Sequence, residues 1–324
     1  PLRDGTIGKR GNEGGSRSVT TEKTITARVV TMSLLADSIL AIELRRSDGA
    51  LLPPATPGAH IDLHLQNGLI RQYSLTTAEG DPASYIVAVK RDRASRGGSS
   101  FVHDHLRVGD VIEISAPRNN FPLDESASCS ILIAGGIGIT PILSMMRRLR
   151  QRGASFELHY SCRKDSEVVY AAELSESEEI DVHLSDEFGA MDLEKIIALA
   201  PSDAHFYCCG PVPMIEAFEA AASNIEAERI HVERFTNNAI IATEGGYLVK
   251  LQRDGRSFVI PQGQTILSAL REAGIEVSFS CEQGICGSCE TAVVSGKPDH
   301  RDSILTEAER EANATMMICC SGSH

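Results

Sequence analysis

Four cysteines constrain this chain more than any other feature: Cys281, Cys286 and Cys289 at x4 and x2 spacing, then Cys319 after 29 further residues. One tight loop at that spacing presents three thiolates to a single centre, and the distant fourth completes the set that a [2Fe–2S] cluster requires. Gly284 and Gly287 lie inside the loop, where the missing Cβ lets backbone N–H groups approach inorganic sulfide. Structural zinc favours two short Cys/His pairs, and only Cys286/Cys289 makes one. Zinc or reactive thiols are the weaker reading. The chain has nine cysteines, an odd number, with five in the last 44 residues. Such clustering indicates cofactor ligation in a reducing cytoplasm, not a disulfide framework.

A length of 324 residues implies two or three domains. The net charge of −13 argues against nucleic-acid partners and against an anionic membrane surface. No apolar run approaches the roughly 18 residues of a membrane-spanning helix, and no signal peptide opens the chain, so a cytoplasmic protein is expected. The acidic excess concentrates in residues 126–236, with nine Lys/Arg against 18 Asp/Glu. Glu176, Glu178 and Glu179 read as a solvated helix face, with a docking patch for a basic partner as the alternative.

Residues 1–18 contain five glycines and almost no apolar side chains, which predicts a disordered tail. Over 19–125, short β-branched runs recur between turn signals: TITARVV, SILAIEL, HIDLHL, YIVAVK and VIEIS. Gly80-Asp81-Pro82 is one of those turns. This pattern predicts an antiparallel barrel or sandwich with one helix near 99–106. Over 126–236, strand-like and helix-like runs alternate, which predicts an α/β doubly wound parallel sheet. Residues 237–245 read as a linker. Residues 246–324 open with a hairpin around Asp254-Gly255, then a helix stopped by Gly274, then the cysteine loop.

Three further motifs carry chemistry. Arg71-Gln72-Tyr73-Ser74-Leu75 is by itself an amphipathic strand. Its companions are Val89-Lys90-Arg91 and the turn Arg96-Gly97-Gly98-Ser99, where bare N–H groups at a helix start suit a phosphate and Arg91 or Arg96 adds charge; the plainer alternative is a loop and N-cap. Ala134-Gly135-Gly136-Ile137-Gly138-Ile139-Thr140-Pro141 follows a strand and opens a helix, as a pyrophosphate site requires, although Pro141 stands where the last glycine would be. Cys208-Cys209-Gly210-Pro211 repeats that strand-end context. Cys129, Cys162 and Cys208 read as small buried residues. In an extended segment Cys319 and Cys320 would point opposite ways, so only one would face the cluster.

In this order, RQYSL, RGGS, GGIGITP, CCGP and the C-terminal cysteine loop resemble the phthalate dioxygenase reductase family over about residues 20–320. The resemblance implies an FMN-binding β-barrel, an NADH-binding domain and a C-terminal α+β ferredoxin (β-grasp) domain. It places Arg71, Tyr73 and Ser74 against the flavin, with the Ser74 hydroxyl near N5. Arg91, Gly97, Gly98 and Ser99 would hold the FMN phosphate. Gly136, Gly138, Thr140, Pro141, Gly210 and Pro211 would face the dinucleotide. Cys209 would border the nicotinamide, with Glu233 and Phe235 closing the flavin side. NADH is preferred to NADPH, although Arg163 and Lys164 could meet a 2′-phosphate. The implied activity is an NADH-dependent reductase delivering single electrons to a terminal oxygenase of Rieske type. The rivals are a redox sensor or carrier without NADH turnover, and a reductase serving a P450 or other hydroxylase. One departure stands at the C-terminus: Ser321-Gly322-Ser323-His324 replaces the family's Arg and final strand, so no strand is expected there.

Overall fold

The computed structural model describes residues 24–77, 83–92, 96–175, 177–253 and 255–324. The expected tail at 1–18, the Gly80-Asp81-Pro82 turn, Glu176 and Asp254 lie outside the described residues.

Six antiparallel strands form the first sheet: β1 (Ile25–Ala36), β2 (Ile39–Arg46), β3 (His60–His64), β4 (Ile70–Ser74), β5 (Tyr85–Lys90) and β6 (Val111–Ile114), with α1 (Gly98–Asp104) after β5. Their order is β4-β3-β6-β1-β2-β5. The two outer strands meet through the Leu75–Val87 bridge and the Thr76 N–H to Ile86 carbonyl bond of 2.9 Å, which closes the sheet into a barrel. Register shifts in β1 between Val29 and Thr31, and between Leu34 and Ala36, supply the bend that closure needs. Ile42, Leu44, Ile61, Leu63, Val87 and Val89 alternate inward and fill the interior.

The second sheet is wholly parallel, in the order β11-β10-β7-β8-β9. Its strands are β7 (Cys129–Gly135), β8 (Ser155–Cys162), β9 (Ile180–Leu184), β10 (His205–Cys209) and β11 (Ile230–Glu233). Helices α2 (Ile139–Arg152), α3 (Ala171–Leu174), α4 (Ser185–Phe188), α5 (Leu193–Leu199) and α6 (Val212–Ala221) make the connections. Every residue of β7 is buried, as a central strand covered on both faces must be. One apolar cluster draws on both sheets: Ile39, Ala88 and Phe121 pack with Leu132, Ile142, Met146 and Tyr160. Barrel and parallel sheet therefore share a core.

The C-terminal region has a core of its own around Ile260, Leu267, Leu270, Met317 and Ile318. Its elements are β12 (Tyr247–Lys250), β13 (Ser257–Ile260), α7 (Ile266–Glu272), β14 (Glu290–Ala292), β15 (Pro298–Asp299), α8 (Glu307–Ala312), β16 (Thr315–Met317) and β17 (Gly322–Ser323). Thr265 and Thr306 cap α7 and α8 with reciprocal capping boxes. One expectation changes here. Gly322–Ser323 does form a short strand, paired with Pro298–Asp299. Residues 237–245 contain no helix or strand but are tied to the C-terminal core, with the Ala242 N–H on the Cys320 carbonyl at 2.8 Å and the Gly263 N–H on the Thr243 carbonyl at 2.8 Å. No helix among the described residues is long and apolar enough to cross a membrane.

Candidate functional site

Strand order in the parallel sheet reverses between β7 and β10, and a crevice opens at their carboxyl ends. Two turns meet there: 135–138, leading from β7 into α2, and 209–211, leading from β10 into α6. A Cβ on Gly138 would collide with the Cys209 carbonyl, and one on Gly135 would lie 2.6 Å from Pro211 Cδ. Gly136 sits at φ 53°, in the region glycine tolerates best. Pro141 is the third residue of α2, where the backbone N–H has no intrahelical partner and its loss costs little. The Thr140 hydroxyl donates to the Ile137 carbonyl at 3.0 Å and steadies the turn.

Cys209 and Glu233 are register partners at the ends of β10 and β11. Burial raises the Cys209 thiol well above its ordinary value, with the Glu233 charge adding to the effect. Burial likewise pushes the Glu233 carboxyl up to about 8, and its Oε2 has no hydrogen-bond partner among the described residues. A buried carboxyl that keeps its proton near neutrality can donate to a ligand carbonyl, and an unmet polar atom suits an amide. The linkage has a definite sign. Between the ordinary carboxylate value of 4.5 and about 8, the folded chain holds a proton that the unfolded chain releases. Stability from this group is complete below that interval and is lost as pH rises through it. Glu233→Gln is therefore expected to lessen the fall in thermal midpoint across the interval; a parallel fall in both proteins would contradict the assignment.

A cavity of 180 Å³ opens beside this crevice. Gln72, Tyr73 and Ser74 of β4 and Ala88 and Lys90 of β5 form one wall, Ile137 and Thr140 a second, Arg234 and Phe235 a third, and Ile285 of the cysteine loop a fourth. Burial lifts the Tyr73 phenol to about 12, so it stays a neutral donor and acceptor. Arg71 lies over the Gly97-Gly98 turn: a Cβ on Gly98 would be 2.6 Å from Arg71 Cγ, and Arg71 Nη2 donates to the Arg96 carbonyl at 3.1 Å. Gly97 adopts φ 88°. Ser99 Oγ accepts the Asp92 N–H at 3.1 Å. Arg91 is turned to Asp104 in a two-pronged pair at 2.7 and 2.9 Å, which leaves Arg71 and Arg96 as the cationic residues beside the glycines. Arg163 pairs with the buried Glu167 at 2.5 Å. The sequence gives Gln72, Lys90, Ile137, Arg234 and Ile285 no ligand-facing role of their own, although Gln72, Lys90 and Ile137 stand within the motifs RQYSL, Val89-Lys90-Arg91 and GGIGITP. Nothing in the sequence marks Ile285 as facing the barrel.

All nine thiols are free, and Cys281, Cys286, Cys289 and Cys319 are each at most 5% exposed. Their contacts are pairwise. Cys281 accepts from Cys286 and Cys319, which pushes its thiol down, and Cys289 accepts from Cys319 with the same effect. Cys286 and Cys319, the donors, are pushed up. No set of three or more His, Cys, Asp or Glu among the described residues closes around one metal ion. The contacts link all four thiols into one site, the ligand number that a [2Fe–2S] group needs. The Gln283 N–H points at Cys281 Sγ at 3.3 Å, and Gly284 and Gly287 hold φ of 69° and 73°. N–H groups directed at thiolate sulfur stabilise the reduced cluster. The residues fit a [2Fe–2S] group. Cys320 departs from the alternation expected of a strand. Residues 318–320 are a turn, with the Cys320 and Ser321 N–H groups both on the Met317 carbonyl, and the Cys320 sulfur lies in contact with Gly284 and Cys319.

Comparison with known proteins agrees with this geometry. Residues 249–322 match the model of the 2Fe-2S iron-sulfur cluster binding domain, and residues 132–220 that of the oxidoreductase NAD-binding domain. The phenoxybenzoate dioxygenase subunit beta of Ectopseudomonas oleovorans is 47% identical over 301 residues, covering 92% of this chain and 94% of that protein. The solved structure of phthalate dioxygenase reductase, described as modular for electron transfer from pyridine nucleotides to [2Fe-2S], matches with TM-score 0.73 and 37% identity over 93% of this chain and 95% of that one. An intact self-sufficient cytochrome P450 monooxygenase matches with TM-score 0.83 and 36% identity, covering 95% of this chain and 42% of that one. The barrel, the parallel sheet with its glycine turn and the four converging thiols thus have one common setting: the chain is an oxidoreductase of the phthalate dioxygenase reductase family, whose cofactors are FMN, NADH and a [2Fe–2S] cluster.

Proposed function

We propose that this chain is the reductase component of a Rieske-type oxygenase system in the cytoplasm, taking electrons from NADH and passing them singly to a separate oxygenase. The observation that carries the reading is the cavity whose walls come from the barrel, the end of the parallel sheet and the cysteine loop. FMN, when bound, accepts two electrons as hydride and releases them one at a time, which neither NADH nor a one-electron cluster can do. Arg71, Tyr73 and Ser74 would orient the flavin, with Gly97, Gly98 and Ser99 receiving its phosphate beside Arg71 and Arg91 joining only by leaving Asp104. Gly136, Gly138, Thr140, Pro141, Gly210 and Pro211 would line the dinucleotide, while Cys209, Glu233 and Phe235 would set the nicotinamide against the flavin. Hydride transfer depends chiefly on that positioning. Arg163, paired with Glu167, is less available to a 2′-phosphate, which favours NADH. Cys281, Cys286, Cys289 and Cys319 would hold the cluster.

The dioxygenase named in the relative from Ectopseudomonas supports an oxygenase partner, and the self-sufficient P450 makes a P450 the runner-up. Adding NADH anaerobically should bleach the flavin absorbance within the mixing time; no bleaching would favour the sensor reading. Cys209→Ala is expected to slow flavin reduction at saturating NADH about tenfold while flavin and iron contents hold, since it removes positioning and not cofactor binding. Turnover with purified Rieske oxygenases but not P450s would support the named partner; the reverse result would replace it.

A further inference from the structure

Among the described residues, three side-chain hydrogen-bond tethers join the cysteine loop to segments of the chain before residue 238. Ser280, immediately before Cys281, donates its hydroxyl to Asp62 Oδ1 at 2.7 Å. Asn120 Nδ2 donates to the Cys286 carbonyl at 3.1 Å. Asn237 Nδ2 donates to the Gln283 carbonyl at 2.9 Å and to the Arg301 carbonyl at 2.6 Å. Tethers at 280, 283 and 286 bracket Ile285, the residue by which this loop walls the cavity. The Asp62 anchor is itself fixed, and the segment before Asn120 is held as well. The other Asp62 oxygen accepts from Arg118 at 2.7 Å, and the Asp62 N–H donates to Ser115 Oγ at 2.9 Å. Arg118 exchanges backbone bonds with His60 at 2.9 and 3.0 Å, and the Asn119 side chain holds Thr56 and Pro57 at 2.8 Å. Asp62 and Ser280 are both buried, where a lost hydrogen-bond partner is costly. His60, wholly buried on the same strand, makes no side-chain hydrogen bond among the described residues and adds no tether of that kind.

We infer that Asp62, Asn120 and Asn237 are positioning residues that clamp the cysteine loop against the flavin cavity and thereby set the flavin-to-cluster electron transfer rate. The inference rests on the reductase reading above. In the step concerned, reduced flavin loses one electron and the oxidised cluster gains it, and no bond to the protein forms or breaks. The clamp touches neither the nicotinamide crevice nor a cysteine sulfur. Loosening it should therefore spare hydride transfer and the cluster's own properties.

The test uses the full-length, cofactor-loaded protein as Ser280→Ala, Asn120→Ala and the double variant, with Ser280→Thr as the conservative control that keeps a hydroxyl. Stopped-flow absorbance with NADH separates flavin reduction from cluster reduction. Flavin reduction and NADH–ferricyanide turnover should match the parent, while flavin-to-cluster transfer should slow ~10-fold or more in the double variant, in line with what small misplacements cost. Ser280→Thr should restore most of the rate. The cluster's reduction potential should not move, and amide hydrogen exchange over 281–289 should quicken. Parent-like transfer in the double variant, with flavin reduction intact, would overturn the clamp and leave the reductase reading untouched. Loss of the cluster from both single variants would also overturn it, making these residues assembly determinants. Failure of NADH to reduce the flavin in the parent would instead remove the reductase reading on which the clamp rests.

Discussion

Cys319→Ser is expected to yield protein nearly free of iron, whereas Cys320→Ser should keep about two irons per chain and the parent's visible spectrum. The two residues are adjacent, and both are buried. Their surroundings separate them. Cys319 contacts Cys281 and Cys289, so it closes the gap between the two ends of the thiol set. Cys320 instead packs under the loop at Gly284 and donates toward the Met317 carbonyl at 3.7 Å. Serine is a poor substitute for a soft thiolate donor, so a single replacement at 319 should be enough. The loss should also reach the fold, since Cys289, Cys319 and Cys320 pack in the same apolar cluster as Leu267, Leu270 and Met317. Metal binding and folding are coupled where the ligands form part of the core. Metal analysis with a thermal scan of both variants checks this. Iron retained in Cys319→Ser but lost in Cys320→Ser would move the fourth ligand by one position.

The barrel strands and the alternating sheet were legible because each depends on local periodicity. TITARV alternates and ILIAGG is continuously apolar, and those patterns correspond to one covered face and two. Adjacent glycine turns were legible as strand-end punctuation. That they meet at the β7/β10 switch point is a property of strand order, which no local pattern carries. The resemblance puts Arg91 at the phosphate, whereas here it pairs with Asp104 on α1, and that pair forms without regard to chain distance. Cys320 was assigned by strand alternation, and a turn at 318–320 removed the premise. Residues 237–245 read as a linker from their composition alone, yet the Arg301 guanidinium, the Gly263 N–H and the Cys320 carbonyl all bind this backbone. The tethers from Asp62, Asn120 and Asn237 span 218, 166 and 46 residues, and long-range polar pairs of this kind leave no signature in a single sequence.

A chain ending at Thr236 should fold, bind FMN and oxidise NADH with ferricyanide, yet support no oxygenase turnover above background. The apolar clusters of the barrel and the parallel sheet include no residue beyond Phe235, and the C-terminal cluster includes none before Ile241. Few contacts other than the loop tethers need to break, which is the usual mark of a separable domain. Ferricyanide takes electrons directly from flavin, whereas the oxygenase would have no cluster to receive them from. The site of the cut matters. Ending at Ala242 would leave Ile241 and Ala242 without the C-terminal core and the Cys320 carbonyl that hold them, so that fragment should be less soluble. Cutting between 125 and 126 should fail altogether, because Ile39, Ala88 and Phe121 share their core with Leu132, Ile142 and Tyr160, and each half would expose the other's contact face to water. Circular dichroism, flavin content and the two turnover assays distinguish these three fragments. Full oxygenase support from the chain ending at Thr236 would take the cluster off the electron path.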